Sequence, residues 1–372
     1  MIGRSAILIY SYSWLSTAEF ALIAATLSFV EISRAFTDFG AENIIYTRLA
    51  SSNKPLSHIV KNLIKLRLVI SFFISSTIAL FSYFFISPET WPLFFLPVIS
   101  SIQNSSVAFM QKNRDFKKIL SLVISVLCMG AISVISVLWF EFKGLVLITF
   151  MILPELFSAI VGGIITWRNW SEILSYVNKS GRLLNRLLPY VMPSMAVSIL
   201  VVLYSRLDVI MVLPLLGINA QADYSLGLRL VEPVFLLLSL GSLTLLAELG
   251  AYNTQQARLL MSTLVNILNV KTYVLLCIAG FFVAFCLRAF AVAYLEFNVI
   301  ASWVTFLLVL AIPIKLCNAF LTTLLQRGGL YQVVMKAAIF VFLLTMTFGL
   351  IFGSYFGVLG IVVATLIAEF FK

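Results

Sequence analysis

Charged side chains interrupt several of the long hydrophobic stretches of this chain. Glu31, Arg34, Asp38 and Glu42 are spaced so that, at about 100° per residue, they form one polar stripe on a helix. A charge at the centre of a membrane costs roughly 2.5–3.5 kcal/mol on insertion scales. Such side chains therefore face protein or a water-filled cavity, where they can form ion pairs or bind an ion or a charged ligand.

Further charges lie inside other hydrophobic stretches of both halves of the chain: Glu155, Arg206, Asp208, Arg229, Glu232 and Lys315. Two interpretations are open. Glu31–Arg34 and Arg229–Glu232 have the i,i+3 spacing of salt bridges that only stabilise helices. Alternatively, the charges line a polar path through the membrane, and their presence in both halves favours this second interpretation, because a scaffold needs only Ser and Gly at helix contacts.

The composition identifies the elements that carry these charges. Of 372 residues, 62% are hydrophobic and only 11% are charged, and the mean hydropathy is +1.08. Soluble domains are about 45–50% apolar and about 25% charged. The sequence therefore predicts a membrane protein, and helices are the elements that satisfy their own backbone hydrogen bonds in lipid.

A span needs about 20 mostly apolar residues. The sequence contains full-length stretches at 18–38, 67–87, 92–111, 119–140, 144–167, 189–213, 224–247, 270–290, 301–324 and 334–355. Shorter ones lie at 2–15 and 356–371. The predicted fold is an all-α integral membrane protein with about 12 transmembrane helices.

Basic residues collect in alternate predicted loops, which indicates the cytoplasmic side of the membrane. They include Arg48, Arg67, Arg114, Arg182 and Arg327, and the resulting prediction places both termini in the cytoplasm. The same pattern explains the net charge of +10. Nucleic acid is not an expected partner, because the sequence predicts no soluble segment that could form a groove for it.

Two sequence matches indicate an internal duplication. AEF at 18–20 resembles ADY at 222–224, and 109–120 resembles 324–335. We predict a six-helix lobe at 1–167, a basic cytoplasmic linker at 168–188 and a second six-helix lobe at 189–372, with the first and last helices short. Two lobes of six helices share one orientation, so we expect a pseudo-two-fold axis along the membrane normal and a central cavity.

The sequence shows no catalytic motif and no phosphate-binding loop of the ATPase type. The four cysteines are widely separated and His58 is the only histidine. We therefore expect no catalytic residue, no metal site and no cofactor, although coupling to an ion or proton gradient is left open.

Three segments resemble the bacterial O-antigen and polysaccharide flippases. These segments are 16–50, which includes DFG at 38–40, MQKNRDFKKIL at 110–120, and 206–249. The resemblance implies the fold of the multidrug/oligosaccharidyl-lipid/polysaccharide (MOP) superfamily and alternating access in the bacterial cytoplasmic (inner) membrane. The implied cargo is a polyprenyl-diphosphate-linked oligosaccharide, moved from the inner to the outer leaflet.

The resemblance also suggests roles for the intramembrane charges. Arg34, Arg206, Arg229 and Lys315 are the candidates for neutralising the diphosphate. Glu31, Asp38, Glu155, Asp208 and Glu232 are the candidates for binding a coupling ion or pairing with these cations. Membrane lipid is an implied partner, and other polysaccharide assembly proteins remain open as partners.

Three other functions are alternatives. A multidrug or cation antiporter of the same superfamily would favour an acidic cavity, whereas four intramembrane cations suit an anionic substrate better. A membrane-embedded glycan polymerase usually has a large outer loop, and the predicted outer loops are short. A non-transporting partner of the glycan machinery is the third alternative, which the sequence does not address.

Overall fold

A computed structural model describes residues 2–38, 58–85, 89–112, 116–167, 170–171, 183–251, 270–295, 297–327 and 330–371. Within these residues the structure is helical and contains no strand. The α-helices are α1 (Ile2–Ser11), α2 (Thr17–Asp38), α3 (His58–Phe85), α4 (Leu96–Lys112), α5 (Phe116–Phe140), α6 (Gly144–Ile165), α7 (Leu183–Ala251), α8 (Val270–Tyr294), α9 (Val299–Leu310), α10 (Ile312–Arg327) and α11 (Tyr331–Phe370). A short 3-10 helix, Trp91–Phe95, precedes α4.

Membrane-spanning helices dominate the described residues, as the sequence predicted. Seven of them are long and apolar enough to cross a membrane, or up to eight if the bent pair α9 and α10 forms one span. The all-α membrane fold is therefore confirmed. The predicted cytoplasmic position of both termini is not tested by the structure and remains a prediction.

Two of the longest helices contain a break at a single glycine. Gly217 interrupts α7 with a φ of 85°, and Gly357 interrupts α11 with a φ of 62°. Only glycine adopts this backbone region readily, because it has no Cβ. The breaks divide α7 into α7a (183–216) and α7b (218–251), and α11 into α11a (331–356) and α11b (358–370). The hydropathy pattern predicts separate helices on either side of each break.

The stretch predicted as one helix at 301–324 is bent. α9 and α10 meet at an angle of 40° on either side of Ala311. Pro313 is the second residue of α10, and proline has no backbone N–H to donate within a helix. The bend is therefore explained by the local sequence.

The start of α3 corrects one part of the sequence interpretation. The helix begins at His58, whereas the apolar stretch begins near residue 67. Arg67, which the hydropathy pattern assigns to a loop, lies inside the helix and is buried. A helix can continue beyond the apolar stretch that crosses the membrane, so hydropathy alone places its start too late.

The start of α2 is fixed by a reciprocal cap. The Ser16 backbone N–H donates to Glu19 Oε2 at 2.9 Å, and the Glu19 N–H donates to Ser16 Oγ at 3.2 Å. This arrangement satisfies two backbone donors that have no partner inside the helix. The Ser-x-x-Glu spacing at 16–19 therefore specifies where α2 begins.

The chain forms two compact units, Ile2–Trp14 with Thr26–Val202, and Leu15–Ala25 with Leu203–Lys372. We call them the N-terminal and C-terminal units. In the N-terminal unit α6 packs against α4 and α5, and α1 packs against α5. Residues 172–182 of the predicted linker lie outside the described residues, so the predicted lobes at 1–167 and 189–372 remain a prediction.

The C-terminal unit is built around a core shared by α7, α8, α9 and α11. Val212, Tyr224, Val304 and Ile361 are among its fully buried members. Gly227 lies in α7b where α9 passes closely. A Cβ at Gly227 would lie 2.8 Å from the Ala301 carbonyl oxygen and 2.8 Å from Val304 Cγ1. The absence of a side chain at Gly227 therefore permits the close contact between these helices.

We expect Gly227→Ala to destabilise the protein by about 1–3 kcal/mol, because the new methyl group overlaps the α9 backbone. Gly163→Ala is the matched control, since Gly163 is also helical and a Cβ added there would meet no neighbouring atom within 4 Å. That substitution should be neutral or stabilising by up to about 1 kcal/mol. Thermal unfolding in detergent measures both, and equal effects would contradict the proposed close packing.

Candidate functional site

Glu155 in α6 is the centre of a charged cluster in the N-terminal unit. Its carboxylate is buried, and each oxygen contacts a different arginine: Arg4 Nη2 lies 2.6 Å from Oε1, and Arg34 Nη2 lies 3.2 Å from Oε2. Arg34 Nε also donates to Ser100 Oγ at 3.0 Å. Three helices, α1, α2 and α6, thus bring two guanidinium groups onto one carboxylate. We call Arg4, Arg34 and Glu155 the N-terminal triad.

Glu155 lies in an apolar helix, and the serine that contacts Arg34 is itself held by a hydrogen bond. Pro154 precedes Glu155 within α6, whose other residues are almost entirely apolar. Ser100 is fixed by its own hydrogen bond, since its hydroxyl donates to the Pro97 carbonyl at 3.0 Å. A buried carboxylate in such surroundings needs both charge partners and hydrogen bonds.

Glu232 in α7b is the centre of a similar cluster in the C-terminal unit. Arg229 Nη1 donates to Oε1 at 2.8 Å and to Oε2 at 2.7 Å. Arg206 Nη2, from α7a, donates to Oε1 at 3.0 Å. Arg229 Nη2 additionally donates to the Ala24 carbonyl of α2 at 3.2 Å. We call Arg206, Arg229 and Glu232 the C-terminal triad.

The two triads share their charge and their pattern of burial. Each combines two arginines with one glutamate, so the three side chains carry one positive charge in excess. In the N-terminal triad 6% of the Arg4 side chain is exposed and 21% of the Arg34 side chain. In the C-terminal triad the values are 4% for Arg229 and 13% for Arg206. Each triad therefore has one deeply buried arginine and one that reaches a surface.

Asp208 and Lys315 lie in the C-terminal unit but have other direct partners. The buried Tyr224 hydroxyl donates to Asp208 Oδ2, and the Val209 N–H donates to Oδ1 at 2.8 Å. Lys315 Nζ lies 4.0 Å from Glu369 Oε1 and 4.4 Å from the centre of the Phe235 ring. Lys315 and Arg206 are also close enough to act electrostatically on Asp208.

A second hydrogen-bonded group surrounds Glu369 in α11b. Asn318 Nδ2 donates to the Glu369 carbonyl at 2.8 Å and to its Oε2 at 3.0 Å. Asn318 and Lys315 both belong to α10, directly after the bend at Ala311. The bend thus places α10 side chains against the end of α11.

The structure brings together several of the residues predicted from sequence. Arg34 contacts Glu155, while Arg206 and Arg229 share Glu232. Glu31 is half-buried in α2. Asp38 is the last residue of α2, and its side chain lies outside the described part, as does Glu42. The transport roles assigned to all these residues remain predictions.

Among the ionisable residues of these clusters, Arg4, Tyr224 and Glu369 were not singled out from the sequence. Arg4 and Glu369 lie in the two hydrophobic stretches that were too short for a full span. Tyr224 belongs to the ADY segment, which was used only as evidence for duplication. A charge inside a short apolar stretch is the signal that could have identified Arg4 and Glu369.

Metal-ligating side chains are scattered through the described part of the chain. In these ranges, no group of three or more His, Cys, Asp or Glu residues comes together in a way that could hold a metal ion. The clusters that do form are ion pairs and hydrogen bonds within and between helices. What they can do chemically is bind charge, and in each triad the excess charge is positive.

Solved structures of membrane transporters share this fold. An outward-facing multidrug resistance MATE family transporter of the MOP superfamily has 15% sequence identity and a TM-score of 0.62, with coverage of 99% of this chain and 89% of that chain. A MATE transporter from Vibrio cholerae in the bent form has 13% identity and a TM-score of 0.61, with coverage of 99% and 89%.

A third solved structure is a MOP superfamily transporter from Pyrococcus furiosus. It has 13% identity and a TM-score of 0.58, with coverage of 99% of this chain and 90% of that chain, and its description states that the reverse polarity of its binding pocket suggests a different function. At these identities the similarity shows the fold alone.

Sequence comparison identifies the family. No curated protein matches this chain. Residues 6–245, about two thirds of the chain, match the family described as polysaccharide biosynthesis protein. This match includes Arg34, Glu155 and the C-terminal triad, and agrees with the resemblance seen in the sequence. The chain therefore belongs to the polysaccharide biosynthesis protein family.

Proposed function

We propose that this protein is a flippase for polyprenyl-diphosphate-linked oligosaccharides. It would move an O-antigen or other surface-polysaccharide unit from the inner to the outer leaflet of the bacterial cytoplasmic membrane by alternating access. The family membership supports a role in polysaccharide biosynthesis, and the shared fold supports transport. The observation that carries the proposal is the excess positive charge of the two triads.

The charge of the triads matches the chemistry of the proposed cargo. A diphosphate carries several negative charges, and planar guanidinium groups bind phosphate oxygens with two parallel hydrogen bonds. Arg34 and Arg206 reach a surface, so their guanidinium groups are the first candidates for this contact. Lys315 is a third candidate, since its nearest carboxylate oxygen lies at the long distance of 4.0 Å.

A multidrug or cation antiporter is the second candidate function, because the MATE structures that share the fold are multidrug transporters. A cationic drug would be repelled by the excess positive charge of each triad. The Pyrococcus furiosus transporter supports the idea that proteins of this fold differ in the polarity of their pockets. We therefore favour the anionic substrate.

The proposal is tested by surface glycan display in a bacterial strain that lacks its own flippase and makes the matching glycan. The wild-type chain should restore display. Arg34→Gln should reduce it about tenfold or more, since one charge-assisted hydrogen bond contributes about 1.5–3 kcal/mol. Normal display by Arg34→Gln at native expression would contradict the role of Arg34.

Lys336→Gln is the matched control, because Lys336 is an exposed cation of α11 whose loss removes the same charge. This variant should display glycan like the wild type. A parallel assay measures resistance to a cationic dye. Increased resistance without restored glycan display would support the antiporter and overturn the flippase proposal.

A further inference from the structure

The two arginines of the N-terminal triad differ in ways that suggest different tasks. Arg4 is almost fully buried and contacts Glu155 Oε1 at 2.6 Å, whereas Arg34 contacts Oε2 at the longer distance of 3.2 Å. Arg34 is also the more exposed of the two and has a second contact, to Ser100 Oγ. The structure thus combines one buried arginine with one that is partly accessible, on the same carboxylate.

This difference matters because an arginine paired with a carboxylate must break that pair to bind another anion. A buried glutamate that loses its only cation would be left as an uncompensated charge, which costs several kcal/mol. A second arginine on the same carboxylate removes that obstacle, because it keeps the glutamate neutralised while the first arginine changes partner.

We propose that Arg4 is a positioning residue that holds Glu155 so that Arg34 can exchange it for a diphosphate. The inference rests on the proposed function and assigns distinct roles within the site. Arg34 is the group that touches the substrate, while Glu155 orients it in the empty protein. Arg4 acts only through Glu155.

The same arrangement occurs independently in the C-terminal unit. Arg229 is deeply buried and donates to both oxygens of Glu232, while the more exposed Arg206 donates to Oε1 of this carboxylate. The recurrence of one buried and one more accessible arginine on a shared glutamate indicates a functional pattern. Stability alone does not require it, since apolar side chains of similar volume often stabilise a buried site as well or better.

The test measures binding of farnesyl diphosphate, a short isoprenyl diphosphate, to the purified full-length chain in detergent, with farnesol as the uncharged control. Arg34→Gln should bind farnesyl diphosphate about tenfold to a hundredfold more weakly than the wild type, because a charged donor is lost. Arg4→Gln should weaken binding at least several-fold, because Glu155 then retains Arg34.

The decisive comparison is between two double variants with equal charge. Arg4→Gln with Glu155→Gln and Arg34→Gln with Glu155→Gln each leave one arginine, so both keep the single excess charge of the wild-type triad. Arg4→Gln with Glu155→Gln should restore the affinity for farnesyl diphosphate to within about threefold of the wild type, since Arg34 then has no carboxylate at position 155 to release. Arg34→Gln with Glu155→Gln should still bind farnesyl diphosphate weakly, because the remaining arginine, Arg4, is buried.

Thermal unfolding of every variant in the same detergent separates binding from folding. Should Arg4→Gln fail to fold, Arg4→Lys keeps the charge beside Glu155 and is expected to bind within a few-fold of the wild type. Wild-type affinity in Arg4→Gln, equal restoration by both double variants, or poor binding by Arg4→Lys would each overturn the division of roles while leaving the flippase proposal intact. A wild-type protein that binds farnesol as well as farnesyl diphosphate would overturn the proposed diphosphate substrate itself.

Discussion

Glu155→Leu should lower the free energy of unfolding by about 3–5 kcal/mol, because it leaves two arginines without their shared carboxylate in an apolar interior. Glu155 contacts Arg4 at 2.6 Å and Arg34 at 3.2 Å, and all three side chains belong to the N-terminal unit. Thermal unfolding in detergent, monitored by tryptophan fluorescence, measures the loss. Glu155→Gln should cost less, since its amide oxygen still accepts one hydrogen bond.

The triple variant Arg4→Leu, Arg34→Leu and Glu155→Leu separates stability from function. It removes all three side-chain charges together, so no arginine of the triad is left without its carboxylate, and the stability should return close to that of the wild type or exceed it. Surface glycan display should nevertheless be lost, because the guanidinium group of Arg34 is missing. A triple variant that is stable and still displays glycan would show that the N-terminal triad has no part in transport.

Hydropathy predicted the positions of many helices because bilayer thickness limits the length of an apolar span. The stretch at 119–140 corresponds to Phe116–Phe140, and that at 144–167 corresponds to Gly144–Ile165. Hydropathy misplaces the end of a helix where the helix extends into polar sequence. Lys65 and Arg67 precede the most apolar part of α3, yet they belong to the helix.

The residues at which helices break were not identified from the sequence. The stretch 301–324 was predicted as one helix, although Pro313 lies within it, and α9 and α10 bend beside this proline. The sharp turns at Gly217 and Gly357 each depend on one residue with positive φ. Other glycines of the described residues, such as Gly163 and Gly227, lie within helices without a break, so the hydropathy pattern separated the helices without identifying the residue at the break.

The charged residues of the candidate site were easier to predict than their partners. A charge in an apolar stretch is visible in the sequence, and Arg229–Glu232 could be paired because i,i+3 side chains lie on one helix face. Arg34 and Glu155 are separated by 121 positions. Which helices bring them together depends on tertiary packing, and so does the choice of Arg4 as the second cation.

Tyr224→Phe should destabilise the C-terminal unit by about 1–3 kcal/mol, because it removes a hydrogen bond to the buried carboxylate of Asp208. Tyr224 is fully buried among the apolar residues of the core, and its hydroxyl donates to Asp208 Oδ2. Water therefore has no ready access to replace the lost donor. Tyr355→Phe is the matched control, since Tyr355 is 80% exposed and its hydroxyl can be solvated or can lie at the membrane surface.

A double-mutant cycle with Asp208→Ala shows whether the effect arises from this bond. In the Asp208→Ala background the Tyr224 hydroxyl has lost its acceptor, so Tyr224→Phe should be neutral or slightly stabilising. The coupling free energy should then be about 1–3 kcal/mol, well above the few tenths of a kcal/mol expected for independent sites. Additive effects would mean that Tyr224 stabilises α7 through packing alone. Strong coupling would instead show that the Tyr224 hydroxyl fixes the Asp208 carboxylate within the core of the C-terminal unit.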